Sequence, residues 1–187
     1  MATIRKEMTR DIAAREALID RAFGDTRFTK ASERLREGRL AAYGLSFVAT
    51  TKNRVVGTVR LWDVTAGPAR PALLLGPLAV DDGWRGVGIG AALMRRATEA
   101  ARQLGHKAVV LVGDPSYYAR FGFSAEKTGA LWMPGPYERE RLLALELAPG
   151  ALDGARGLIN ATGEKALVPD LATLIAGLAR TDAAHAA

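Results

Sequence analysis

Residues 73–104 (LLLGPLAVDDGWRGVGIGAALMRRATEAARQL) restrict the fold more than any other stretch. Leu73, Leu74 and Leu75, then Leu78, Ala79 and Val80, are too apolar for a strand with one wet face. The strand is therefore expected to be buried on both sides. Asp81, Asp82 and Gly83 end it. Arg85-Gly86-Val87-Gly88-Ile89-Gly90 follows, and from Ala91 the pattern turns helical. Leu93, Ala97, Ala100, Ala101 and Leu104 recur at three- and four-residue spacing and make one apolar face. A helix start of this kind carries unpaired N–H groups and the positive dipole end, which suit phosphate oxygens. Arg85 and Arg95 can add charge. The same glycines also suit a plain strand–turn–helix junction, and their spacing alone does not separate the two readings.

Two nucleotide motifs are excluded. A P-loop needs Gly-Lys followed by Ser or Thr, and none is present. A dinucleotide fingerprint needs G-x-G-x-x-G, whereas Gly86, Gly88 and Gly90 alternate, and no acidic residue closes a second strand at the required distance.

The chain has 187 residues, enough for one domain or one domain with an appendage. It contains no cysteine, which rules out disulfides, thiolate catalysis and cysteine-held metal. His106 and His185 are too few for a histidine-rich metal site, so no metal is expected. The first ten residues are polar and the longest apolar run, Pro71 to Val80, is far short of a membrane span. A soluble cytoplasmic protein is expected. The net charge of +6 attracts anionic partners. The cations are scattered rather than clustered, which argues for an anionic cofactor over nucleic acid.

Around the central stretch, Thr3 to Met8 reads as a strand and Ile12 to Phe23 as a helix, capped by Thr9 or Asp11 and ended by Gly24. Asp25 to Ala31 reads as a loop. Ser32 to Glu37 reads as a short helix, with Leu35 and Leu40 packing inward. Leu45 to Thr51 and Val55 to Val64 form a hairpin about Lys52-Asn53, since Asn tolerates positive φ. After the helix, Ala108 to Val112 is a short buried strand, and a strand–helix–strand of this length implies parallel strands. A short helix over Ser116 to Phe121, a strand over Phe123 to Lys127, a loop over Gly129 to Tyr137 and a strand over Arg141 to Leu147 complete the domain. Beyond Pro149, Pro169-Asp170 opens a helical pattern at Leu171, Leu174, Ile175 and Leu178, and Asp182 to Ala187 reads as frayed.

Arg85-Gly86-Val87-Gly88-Ile89-Gly90 resembles the [Gln/Arg]-x-x-Gly-x-[Gly/Ala] motif of the GNAT superfamily of acyl-CoA-dependent N-acyltransferases. Tyr118-Ala119-Arg120-Phe121-Gly122-Phe123 resembles that family's Tyr-x-x-x-Gly-Phe segment. The run from Gly113 to Phe123 looks like a bacterial subgroup of N-acetyltransferases. The resemblance covers residues 3–148 and leaves 149–187 as a C-terminal extension with one helix. It implies an α/β fold with a mixed central sheet of about six to seven strands flanked by helices.

The resemblance also implies roles. Main-chain N–H groups of Arg85, Gly86, Val87, Gly88, Ile89 and Gly90 would cradle the pyrophosphate of acetyl-CoA. Leu78 and Val80, flanking Ala79, would hydrogen-bond the pantetheine arm where the strand splays from Val109 to Val112, and an N–H near Leu78 would polarise the thioester carbonyl. Tyr118 falls on the family's proton donor to the CoA sulfur, with Tyr117 as its rival. The reaction implied is direct attack on acetyl-CoA by a primary amine, on a small molecule or a peptide. The alternative is a non-catalytic acyl-CoA-binding regulatory module.

Two departures from the family pattern motivate that alternative. The key strand carries no carboxylate to serve as base, leaving Asp114, Asp63, Glu126 or a water relay. Leu111 also stands where many relatives have asparagine. Arg27, Phe28 and Arg34 fall where the family borders its acceptor groove, although surface residues of a loop need no such role. Trp132 and Tyr137 suit either the acceptor site or a homodimer interface.

Overall fold

The computed structural model describes residues 2–167. The helical pattern expected at Leu171 to Leu178 and the frayed end lie outside the described residues. Strand β1 (Thr3–Lys6) leads through a 3₁₀ turn into helix α1 (Ile12–Phe23). The hairpin β2 (Ser46–Thr51) and β3 (Arg54–Ala66) turns on Lys52 and Asn53, whose φ angles are 45° and 63°. These angles match the right-handed strand twist. Strand β4 (Pro71–Val80) runs antiparallel to β3, then helix α2 (Ile89–Gln103) crosses back to β5 (Ala108–Val112), which lies parallel to β4. Helix α3 (Pro115–Tyr118) follows, then β6 (Leu131–Trp132), β7 (Leu142–Glu146) and β8 (Gly157–Ala161). The order across the sheet is β1-β2-β3-β4-β5-β7.

Period-two alternation builds both layers of the core. Leu73, Leu75, Val109, Leu111 and Leu143 face α2 with Leu93, Met94 and Ala97. Leu74, Val110, Leu142 and Ala144 face the other way with Trp62, Leu131 and Ile159. The central strand is thus buried on both sides, as its composition demands. Leu18 and Ile19 of α1 cover Val48, Val55 and Ala79.

Strand β4 changes parity part-way. Leu61 pairs with Leu75, but Val59 pairs with Leu78, so Gly76 and Pro77 together oppose Arg60. This bulge puts Leu78 and Val80 on the α2 side with Leu73 and Leu75, which unbroken alternation would forbid.

Several expectations are corrected. The sheet has eight strands, because β8 adds to β3 over Val64 to Ala66. The region expected as an extension therefore enters the core, with Leu152 and Ile159 buried. Phe123 to Lys127 is not a strand. It makes one bridge, Ser124 to Ala144, and the Thr128 hydroxyl reaches the Leu142 carbonyl at 2.7 Å in place of a ladder bond. The expected loop over Gly129 to Tyr137 contains β6, and the loop after α1 is a 3₁₀ turn over Gly24–Thr29. The expected Ser32 to Glu37 helix is a 3₁₀ turn over Glu33–Leu35. Leu35 is buried, but Leu40 is exposed. Leu104 is also exposed, because α2 ends at Gln103 before it.

Candidate active site

The site starts where β4 and β5 part. Their pairing ends at Leu73 with Val109 and Leu74 with Val110. From there β5 stays with β7, up to Val112 opposite Leu142, while β4 stays with β3. The Asp81 N–H donates to the Val56 carbonyl on β3 at 2.9 Å. By alternation Ala79 also turns its main-chain groups to β3, and Leu78 and Val80 turn theirs to the open edge. The open edge can accept an extended ligand as an added strand.

Beyond β4, Asp81 holds the turn. It accepts from the Gly83 N–H at 3.3 Å and from Arg54 at 2.8 Å. Gly86 and Gly88 then take φ of 79° and 86°, left-handed backbone that favours glycine. Among the described residues, the N–H groups of Gly86, Val87 and Gly88 meet no protein acceptor. The first intrahelical bond is Ala92 N–H to Gly88 O, so the first turn of α2 adds further free donors. Val87 and Arg85 are exposed beside them. A line of free N–H groups at a positive helix end is an oxyanion cradle. It lies on the same open side of the sheet as the Leu78 edge.

Tyr118 sits at the other side of the gap. Asp114 caps α3 through the Ser116 N–H at 2.9 Å and its hydroxyl at 2.8 Å, which fixes the helix and aims the two tyrosines. The Tyr118 ring lies edge-on to Tyr117 and Phe123, with centroids 4.9 and 6.0 Å away. It also lies against Gly113, where an added Cβ would come within 2.2 Å of the ring. Burial first, then the neighbouring Tyr117, pushes the Tyr118 phenol up to about 12. The group is held as a neutral O–H donor. Tyr117 points elsewhere, with its hydroxyl 2.9 Å from where a Cβ on Gly90 would stand, at the cradle.

These pieces border one cavity of about 600 Å³. Leu75 to Leu78 form its floor with Trp62, whose indole N–H donates to the Gly76 carbonyl at 2.5 Å and pins the bulge. Arg15, Ile19 and Phe23 of α1 form one wall, and Arg27, Lys30, Glu33 and Arg36 another. Val112, Asp114, Tyr117, Tyr118 and Arg141 close the far side. The carboxylates at this cavity are occupied. Glu16 pairs with Arg15 and Arg27, both at 2.6 Å, and Glu33 with Arg36 at 2.7 Å. Asp114 is engaged by Ser116, which lowers its pKa and makes it a poor base. Behind the wall, Glu7 takes both guanidinium nitrogens of Arg60.

Residues 42–125 match the family model for the Acetyltransferase (GNAT) domain. The chain is 33% identical over 159 residues to the uncharacterized N-acetyltransferase YhbS of Escherichia coli (strain K12), spanning 84% of this chain and 94% of the relative. This chain belongs to the GNAT family. A crystal structure of E. coli YhbS in complex with CoA superposes on this GNAT fold with a TM-score of 0.73, covering 86% of this chain and 89% of that one. A GNAT family acetyltransferase from Brucella melitensis in complex with acetyl-CoA is 26% identical, with a TM-score of 0.62, and covers 92% and 97% of the two chains.

Of the acceptor-side residues named from the sequence, Arg27 lines the cavity of this GNAT chain, while Phe28 and Arg34 do not. Trp132 and Tyr137 are also absent from its wall. Trp132 stacks under Arg139 at 4.5 Å, and the Tyr137 hydroxyl donates to the Leu131 carbonyl at 3.3 Å. Asp63 and Glu126 stand away from the cavity, and Trp84 packs on the main core. Sequence reasoning missed Arg15, Lys30, Arg36, Arg60 and Arg141. One signal was available for Arg15, which stands three and four residues before Leu18 and Ile19 on the buried stripe of α1. No group of three acidic, histidine or cysteine side chains suits a metal among the described residues. No helix among them is long and apolar enough to cross a membrane.

Proposed function

We propose that this protein transfers an acetyl group from acetyl-CoA to a primary amine by direct attack within a ternary complex. The observation that carries this reading is the open main-chain edge of Leu78 and Val80, set between free N–H donors at one end and the Tyr118 hydroxyl at the other. The pyrophosphate would take the N–H groups of Gly86, Val87, Gly88, Ile89 and Gly90, with Arg85 beside them. The pantetheine arm would pair with Leu78 and Val80, alongside Ala79. The Leu78 N–H would stabilise the oxyanion as the amine adds to the thioester carbonyl. The C–S bond then breaks, and Tyr118 gives its proton to the departing thiolate. Because every carboxylate at the cavity is already engaged, the amine would lose its proton through water. The same observation favours a second reading, an acyl-CoA-binding module without transfer.

Calorimetry with acetyl-CoA tests the cofactor site, beside a Val87→Glu variant. Val87 is exposed and is not among the residues with positive φ, so the change adds negative charge to the cradle without backbone strain. Affinity is expected to fall at least about tenfold in the variant. Equal binding by both proteins would remove the cradle assignment. Thiol release with a panel of amines then separates transfer from binding alone.

A further inference from the structure

Arg36 is the most telling group that the reaction above leaves unused. Its side chain is only 7% exposed, and it lines the cavity. One terminal nitrogen is held by Glu33 at 2.7 Å. Its Nε is buried with no partner. Its Nη1 makes no hydrogen bond among the described residues and lies 3.8 Å from where a Cβ on Gly76 would stand, at the β4 bulge. A buried guanidinium with idle donors is costly unless something accepts from it.

The surroundings are positive. Lys30 and Arg141 line the same cavity, and the like charges of Arg36 and Arg141, added to lost hydration, lower the Lys30 pKa. The Lys30 ammonium stands 4.1 Å over the Phe23 ring, and among the described residues no carboxylate comes within ion-pair distance of it. The carboxylates near this end are already spent on Arg36, Arg27, Arg15 and Ser116. Nothing there would hold a second ammonium of a diamine.

We propose that this end of the cavity is an oxyanion subsite, in which Arg36, Lys30 and Arg141 hold a carboxylate or phosphate on the acceptor while the acceptor's amine faces the thioester beside Leu78. The substrate class is therefore an acidic amine. A cavity of about 600 Å³ shared with the end of the pantetheine arm suits a small acceptor. This rests on the transferase reading for the role of the site, but not for the binding of the anion itself.

The test begins with binding, on protein saturated with CoA so that the cradle is blocked. Pentanoate, butylphosphonate and butylamine are titrated by calorimetry into the wild type and into Lys30→Met and Lys30→Arg variants. Lys30 is at the rim, so its replacement leaves the Arg36–Glu33 pair in place. One of the two anions is expected to bind the wild type, to lose about tenfold in Lys30→Met and to recover in Lys30→Arg. The better anion identifies the headgroup as carboxylate or phosphate. Failure of both anions to bind, or binding that Lys30→Met leaves unchanged, overturns the proposal. Thiol release is then compared for amines bearing each headgroup at the far end, for butylamine and for diaminobutane. The acidic amines are expected to lead by at least about tenfold in kcat/KM. Anion binding without turnover of any amine keeps the subsite and removes the transferase reading. Efficient turnover of diaminobutane without anion binding does the reverse.

Discussion

Tyr118 owes its proposed role to one glycine. The Gly113 Cα faces the Tyr118 ring so closely that a methyl group there would overlap it. Gly113→Ala must therefore push the phenol out of place. The expected result is a loss of turnover close to that of Tyr118→Phe, with acetyl-CoA affinity held within about threefold. Tyr118→Phe itself is expected to lower kcat by ~10² or more, the usual range for a positioned proton donor. Tyr117→Phe should cost far less, since its hydroxyl stands at the cradle. The pH profile adds a sign. The donor must be protonated, and the Tyr118 phenol lies up at about 12, above the ordinary tyrosine value. Its loss of a proton cannot produce a descending limb below about pH 10. Turnover should rise through neutral and mildly alkaline pH as the acceptor ammonium, with pKa near 10.4 for a lysine-type amine, gives up its proton. A fall starting near pH 8 would assign the donor role to another group.

Helix α2 and the strand before it were the most legible elements, and the reason is local. Their period changes from 2 to 3.6 across a run of glycines, and each apolar position contacts the sheet directly. The limits of that legibility appear at the end of the helix. Leu93 and Leu104 both fit the apolar stripe by spacing, yet Leu93 is fully buried and Leu104 is 51% exposed. The helix bonds stop before Leu104, and Gly105 with φ of 85° turns the chain away. Leu93→Ala should therefore cost about 2 to 5 kcal/mol by denaturant unfolding, and Leu104→Ala less than about 1. Equal costs would mean that the stripe continues past Gln103. The bulge in β4 was not legible, because Gly76-Pro77 in an apolar run announces an irregularity but not the parity change that follows it. The cavity cations were hidden for a different reason. They come from α1, the turns after it, β3 and the start of β7, and only the fold brings those segments together.

The molecule as a whole does not stop where the family motifs stop. Leu147 to Gly150 looked like the end of the domain because a Pro-Gly pair follows a finished strand. The structure instead carries the chain back across the sheet. Gly157, with φ of 95°, starts β8, which pairs with β3 on one side and β6 on the other. The Leu40 N–H then donates to the Glu164 carbonyl, and the Ala166 N–H to the Gly38 carbonyl. These bonds tie the segment to the turn that follows Arg36, so the far wall of the cavity leans on residues beyond the motif region. A five-residue strand with a single fully buried side chain gives little periodic signal, which is why this part was not legible. Ile159 is that side chain, packed with Val64, Ala66 and Leu131, while Leu158 beside it is 45% exposed. Ile159→Ala should destabilise the protein by about 2 to 5 kcal/mol, and Leu158→Ala by about 1 or less. Acetyl-CoA affinity of the folded Ile159→Ala protein should match the wild type, since β8 touches neither the cradle nor the Leu78 edge. If Ile159→Ala unfolds at the same denaturant concentration as the wild type, β8 is an ornament on the sheet rather than part of its core.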